Sequence, residues 1–223
     1  MRKTFEIEIQ QLMDDVLLLG SMVESAILNS VEALKKRDIE ASHRLYEMDQ
    51  QVNARRYEIE EQVMITIATQ QPAARDLRLL ASILEVAGEL ERMGDYAKGI
   101  AKVSILLGDQ PILKPLVDIP LMAKKCADML HRSLVAFINE DVEAARLIPV
   151  EDDEVDALYD QVYRDLMTYV MADAKSIEPA NRLLWVAHNL ERVSDRVTNI
   201  CERIIFVVTG QMHEFEASED EQD

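Results

Sequence analysis

An all-α fold of two tandem three-helix bundles related by a pseudo-twofold is what this chain predicts, on three grounds. Apolar residues recur at threes and fours through long stretches with few interruptions. Glycine and proline are sparse, six of each in 223 residues, and aromatics make up only 5%. The pattern Leu90-Glu91-Arg92-Met93-Gly94-Asp95 returns 100 positions later as Leu190-Glu191-Arg192-Val193-Ser194-Asp195. A repeat of ~100 residues is too long for a solenoid unit and indicates a duplicated small domain.

The first helix is expected from about Phe5 to Lys36, carried by Leu12, Val16, Leu19, Val23, Ile27, Val31 and Leu34. Lys36-Arg37-Asp38 reads as a tight turn with Asp38 as N-cap. A second helix follows to about Thr69 on Leu45, Met48, Val52, Ile59 and Val63, and Gln71-Pro72 breaks it. The third runs from about Ala73 to Leu107. The stretch from Gly108 to Pro120, with Pro111, Pro115 and Pro120, reads as the linker.

The second half repeats the plan. Helix four is expected over Leu121 to Ile138, and Asn139-Glu140-Asp141 matches the earlier turn. Helix five carries Val155, Leu158, Val162, Leu166 and Val170, and Pro179 marks the start of helix six, which reaches Thr209-Gly210. Asp38 to Ala41 aligns with Asp141 to Ala144 at an offset of 103, against 100 for the last helices, so one loop is shorter by three. Helices of ~30 residues span ~45 Å and, joined by short turns, must run up, down and up to bury their stripes. The expected division is 1–112, 113–211 and an acidic flexible tail over 212–223.

Composition narrows the function. The hydrophobic share of 48% is ample for a core. A formal net charge of −18 repels nucleic-acid phosphate and anionic lipid, and favours cations and basic protein surfaces. Cys126 and Cys201 form no CxxC or Cys/His cluster, which makes a reducing cytoplasm the default. Glu6, Glu8, Asp14 and Asp15 interrupt any signal-peptide-like opening. The longest charge-free run, Gln62 to Ala74, is 13 residues, short of the ~18 apolar residues of a membrane span, so a soluble chain is expected.

At 100° per residue, Glu91 lies roughly 80° and Asp95 roughly 120° from the centre of their apolar stripe, on its border. Glu191 and Asp195 repeat that placement. Helix two offers Asp49 with Asn53, and helix five offers Asp152 with Asp156, again four apart beside Val52 and Val155. Border residues of adjacent antiparallel helices face each other. Two seams are therefore expected: Asp49, Asn53, Glu91 and Asp95, then Asp152, Asp156, Glu191 and Asp195. Oxygen-only donors suit Mg²⁺, Mn²⁺, Ca²⁺ or iron rather than a structural zinc site. The plainer reading is solvated carboxylates paired with Arg92 and Arg192. His188 precedes Glu191 as His-x-x-Glu, the reverse of a di-iron motif. His43, His131 and His213 have no partner at ligand spacing, and no phosphate loop or nucleophile elbow is visible. Trp185 faces outward on helix six, as a partner anchor or as a cover within the bundle.

These motifs resemble the PhoU family, the phosphate-transport-system accessory proteins of bacteria. Gln71-Pro72-Ala73-Ala74-Arg75-Asp76-Leu77-Arg78 looks like its Gln-Pro-x-x-x-Asp-Leu-Arg segment, and Glu89 to Asp95 like its Glu-Leu-Glu-Arg-Ile-Gly-Asp signature. Leu190 to Asp195 with Thr198-Asn199-Ile200-Cys201-Glu202 resembles the second-half counterpart. The resemblance implies metal binding at Glu91, Asp95, Asp152, Asp156, Glu191 and Asp195, with Asp49 as the first-half counterpart; iron, manganese, magnesium or zinc is the implied cofactor. It also implies a cytoplasmic, non-enzymatic negative regulator of the phosphate-starvation response, as a homodimer. The implied partners are the ATPase subunit of the phosphate ABC transporter and a phosphate-sensing histidine kinase. Asn53 stands where a second Asp would complete the first pair, weakening that site by one charge, and Ser194 replaces the motif glycine. The alternatives are an enzyme with a carboxylate-ligated metal centre and a purely structural bundle.

Overall fold

The computed structural model describes residues 2–108, 110 and 112–215, and these residues contain helices and connections but no strand. The helices are α1 (Arg2–Lys36), α2 (Ile39–Gln70), α3 (Ala74–Leu107), α4 (Asp118–Asn139), α5 (Val142–Leu147), α6 (Asp152–Ala172) and α7 (Ile177–Thr209). Helices α1, α2 and α3 pack on one another, as do α4, α6 and α7, and the halves meet through α3 against α7 and α1 against α4. All seven stripe residues expected on α1, from Leu12 to Leu34, are buried. One continuous apolar core runs through both halves. Each fully buried Val, Leu or Ile contributes about 1.5–3 kcal/mol of transfer free energy.

The turns form for local reasons. Asp38 accepts the Ala41 N–H at 2.8 Å and Asp141 accepts the Ala144 N–H at 3.0 Å, each capping the helix that follows. Gln71 closes α2 in the left-handed region, φ 47°, immediately before Pro72. Three residues, 71–73, separate α2 from α3, whereas Asp173 alone separates α6 from a short 3₁₀ turn leading into α7. At the offset of 103, α6 also ends one residue before the end of α2, so the three-residue change of offset falls there.

Several expectations need correction. Helix α4 begins at Asp118, so Pro120 sits in its first turn, where its missing N–H has no helical partner to lose. The counterpart of α2 is not one helix. Pro149 cannot donate and crowds the preceding turn, so α5 gives way to a 3₁₀ turn, Ile148–Glu151, before α6 starts at Asp152. Asp152 consequently lies at a helix N-terminus rather than mid-helix. Residues 211–215 of the expected tail fold back: the Phe215 N–H donates to Glu202 at 2.9 Å and the ring packs on the core. The rest of that tail, and Pro111, lie outside the described residues. Finally, α1 alone among the described helices is long and apolar enough to cross a membrane by length and composition, with mean hydropathy 1.4 over an 18-residue window. Here the apolar stripe of α1 is turned onto α2, α3 and α4.

The α3–α7 contact carries the pseudo-twofold. Arg203 reaches Glu85 at 2.7 Å, Asn199 donates to Glu89 at 3.2 Å, and Trp185 lies against Gly99. Asn189 also borders Gly99, so Glu89 meeting Asn199 is mirrored by Gly99 meeting Asn189. Such reciprocity is the mark of an isologous contact. The midpoint of this antiparallel crossing falls at Gly94 and Ser194, inside the two repeated motifs. Trp185 thus serves the junction between the halves while remaining 46% exposed. A side chain at residue 99 would stand 3.0 Å from the indole, which explains the glycine.

Candidate metal centre

Each half places its carboxylates where α2 meets α3, or α6 meets α7, because border positions of two antiparallel stripes face each other. The two seams are built alike and neutralised differently.

In the first half, Asp49 is buried at 5% exposure on α2. Its Oδ2 accepts from Lys98 Nζ of α3 at 2.6 Å and from Asn53 Nδ2 at 3.1 Å. The same ammonium lies 3.8 Å from Asp95. Hydrogen bonding to Asp49 outweighs burial and raises the Lys98 pKa, keeping it charged. Asp49 Oδ1 has no hydrogen-bond partner. The hollow beside it, lined by Ala26, Met48, Val52, Gly94 and Lys98, measures about 10 Å³, at the lower edge of what one water needs. Burial, and then the charge of Asp95, raise the pKa of Glu91, with Asp49 adding to the repulsion and Arg56 opposing it.

In the second half the position matching Lys98 is Thr198, whose hydroxyl is buried without a hydrogen-bond partner. Asp152 Oδ1 and Glu191 Oε2 are likewise buried and unsatisfied. Burial pushes the Glu191 carboxyl up to about 7, with Asp195, Asp156 and Asp152 adding repulsion in that order. Burial also raises Asp152, beside which lies the Ser194 hydroxyl, donating to the Glu191 carbonyl at 2.8 Å. His188 Nδ1 stands 3.2 Å from Glu191 Oε2, off the hydrogen-bonding direction. Burial, then Arg192, lower the His188 pKa, so the imidazole is neutral at pH 7 and adds no counter-charge. Tyr159 closes this side, its ring 6.2 Å from that of His188.

The expected residues therefore share electrostatic neighbourhoods in the expected groups: Glu91 with Asp95 and Asp49, and Glu191 with Asp195, Asp156 and Asp152. They are not collapsed onto a point. Among the described residues no three His, Cys, Asp or Glu side chains are gathered at metal-ligating distance. Asn53 joins its seam as a donor to Asp49 rather than as a ligand. The two arginines do not pair with the seams: Arg92 binds Glu89 at 2.6 Å, and Arg192 lies over the Tyr96 ring of the other half at 5.3 Å. Sequence reasoning missed Lys98, Thr198 and Tyr159. The signal for Lys98 was its i+3 spacing from Asp95 and the change to Thr at the matching place.

Comparison with known proteins follows this geometry. The sequence model of the PhoU domain matches the chain twice, over residues 16–104 and 119–204. The chain is 36% identical over 205 residues to a phosphate-specific transport system accessory protein PhoU homolog of Aquifex aeolicus (strain VF5), covering 92% of this chain and 93% of that one. It is 35% identical over 207 residues to the accessory protein PhoU of Escherichia coli (strain K12), covering 93% and 86%. The crystal structure of PhoU from Pseudomonas aeruginosa is similar at a TM-score of 0.87 and 31% identity, covering 93% of this chain and 100% of that one. With its duplicated helical half, its repeated acidic motif and these relatives, the chain belongs to the PhoU family.

Proposed function

We propose that the chain is a cytoplasmic, non-enzymatic adaptor of the phosphate-specific transport system. In this reading it represses phosphate uptake and the phosphate-starvation response by coupling the ATPase subunit of the phosphate ABC transporter to a phosphate-sensing histidine kinase. The supporting observation is its likeness, along nearly its whole length, to proteins named as accessory to that system. A net charge of −18 suits docking against basic protein surfaces. Covalent catalysis by thiol finds no support: Cys126 and Cys201 are buried, and burial pushes the Cys201 thiol up to about 12 and raises that of Cys126 further.

A metal belongs to this reading at the α6–α7 seam. The fit rests on the orphaned oxygens of Asp152, Glu191 and Thr198. Asp152, Asp156, Glu191 and Asp195 would hold the ion, and their all-oxygen character favours iron, manganese or magnesium over zinc. The ion would supply the positive charge that draws these side chains together and ties α6 to α7. Asp152 contributes from the first turn of α6, where the helix dipole favours a negative group.

Co-purification of the tagged chain from phosphate-replete cells expressing transporter and kinase tests the adaptor. Recovery of both the ATPase subunit and the kinase is expected, together with derepressed phosphate uptake when the chain is deleted. Recovery of neither partner, with uptake unchanged on deletion, would contradict it.

A further inference from the structure

We propose that Lys98 is the resident cation of the first-half seam, so that the α2–α3 carboxylates do not take a metal and the chain binds metal at α6–α7 alone. This rests on the reading of the second half as a metal seam, and departs from the expectation of two equivalent sites.

The two seams match position by position, which makes the difference between them informative. Asp49 answers to Asp152, Glu91 to Glu191, Asp95 to Asp195 and Gly94 to Ser194. At the position from which an α3 side chain reaches Asp49 of α2, the residue is Lys98 in one half and Thr198 in the other. The Lys98 ammonium spans the gap, 2.6 Å from Asp49 and 3.8 Å from Asp95. It therefore stands where an ion bridging α2 and α3 would have to stand. Asn53 completes the arrangement by donating to the same Asp49 oxygen, where the other half carries the carboxylate of Asp156. The first seam thus has one carboxylate fewer and one ammonium more than the second. A divalent ion entering it would have to displace a charge-assisted hydrogen bond made to a buried carboxylate.

The α6–α7 seam has no lysine at the matching place. Thr198 is too short to cross, and its hydroxyl, Asp152 Oδ1 and Glu191 Oε2 are each buried without a hydrogen-bond partner, against Asp49 Oδ1 alone in the first seam. The duplicated sites have therefore diverged: the first carries its counter-ion in the polypeptide and the second takes one from solution.

Metal content of the full chain, equilibrated with Mn²⁺ alone, dialysed and measured by elemental analysis, tests this. Wild type and Glu91→Gln/Asp95→Asn should carry the same amount, and Glu191→Gln/Asp195→Asn should fall to background. Adding Lys98→Thr to that second-half variant should restore bound Mn²⁺, now at α2–α3, whereas Lys98→Arg should not. Loss of metal from Glu91→Gln/Asp95→Asn would overturn the proposal while leaving the second-half reading intact. This arm keeps Lys98 and Asp49, so it decides the matter even if Lys98→Thr folds poorly. Metal absent from the wild type and from Lys98→Thr alike would instead overturn the metal reading itself. A folded Lys98→Thr/Glu191→Gln/Asp195→Asn chain without metal would show that something other than the ammonium excludes it, and would also overturn the proposal.

Discussion

The α2–α3 seam carries a lysine ammonium within the chain, whereas the α6–α7 seam, built from a copy of the same motif, has a threonine at the matching place. In the first, Lys98 and Asn53 both donate to one oxygen of the buried Asp49, and only its other oxygen has no hydrogen-bond partner. In the second, three buried oxygens have no hydrogen-bond partner and Glu191 is pushed up to about 7. The same Glu-x-x-x-Asp spacing thus serves two ends. Where a lysine crosses the seam it makes a structural clamp, and where a threonine stands in its place the carboxylates lack that ammonium. A carboxylate motif does not by itself specify a site; what faces it from the adjacent turn decides.

The largest expected effect comes from removing the clamp. Lys98→Met leaves Asp49 buried without its cation, which should cost about 3 kcal/mol and lower Tm by about 6–12 °C. Thr198→Met, the matched change in the other half, removes no charge partner and should cost under about 1 kcal/mol. Thermal melts of both variants in chelator check this. Equal losses would dissolve the distinction between the seams.

Acidity provides the next contrast. The Glu191 carboxyl has an ordinary value of 4.5 and rises to about 7 in the folded chain. Between those limits the folded state keeps a proton that the unfolded state gives up, so stability falls as pH rises through that window. Discounted for solvent screening of a half-exposed group, the loss is about 1–2 kcal/mol by pH 7. Urea titrations of metal-free protein at pH 5 and 7.5 should show it in the wild type and much less of it in Glu191→Gln. A metal ion should reverse it, because binding requires the deprotonated form.

Transplanting the clamp is a third way to sharpen the comparison. Thr198→Lys should stabilise metal-free protein by about 1 kcal/mol and abolish metal uptake, since the new ammonium lies among Asp152, Glu191 and Asp195. Smallest of all is the motif glycine. A Cβ on Gly94 would lie 3.1 Å from Val52 Cγ1, so crowding offsets the helix propensity gained by Gly94→Ala, and the net change should stay within about 0.5 kcal/mol. Ser194→Gly faces no such offset and should cost about 1 kcal/mol. Chemical denaturation resolves both.

Much of the fold was legible because its signals are local. The α1 stripe is buried as the periodicity required, and Asp38 and Asp141 cap their helices as two copies of one turn should. The split of α2's counterpart into α5, a 3₁₀ turn and α6 was missed although Pro149 marks it, because the apolar pattern resumes at Val155 and hides the break. The grouping of the seam carboxylates was legible through duplication: Glu91 neighbours Asp95 and Asp49, and Glu191 neighbours Asp195, Asp156 and Asp152. Lys98 was not, because its partner Asp49 is 49 residues away and the pairing exists only once α2 and α3 are side by side. The turn-back of residues 211–215 was hidden for a similar reason: Phe215 finds its place against a core assembled elsewhere in the chain.

Anomalous X-ray scattering from crystals of the wild-type protein grown with Mn²⁺ would place the ion directly. The account predicts density between α6 and α7, within coordination reach of Asp152, Glu191 and Asp195, with the Lys98 ammonium still on Asp49 and no anomalous peak beside it. A peak at the α2–α3 seam with Lys98 swung away, or equal peaks in both halves, would contradict it.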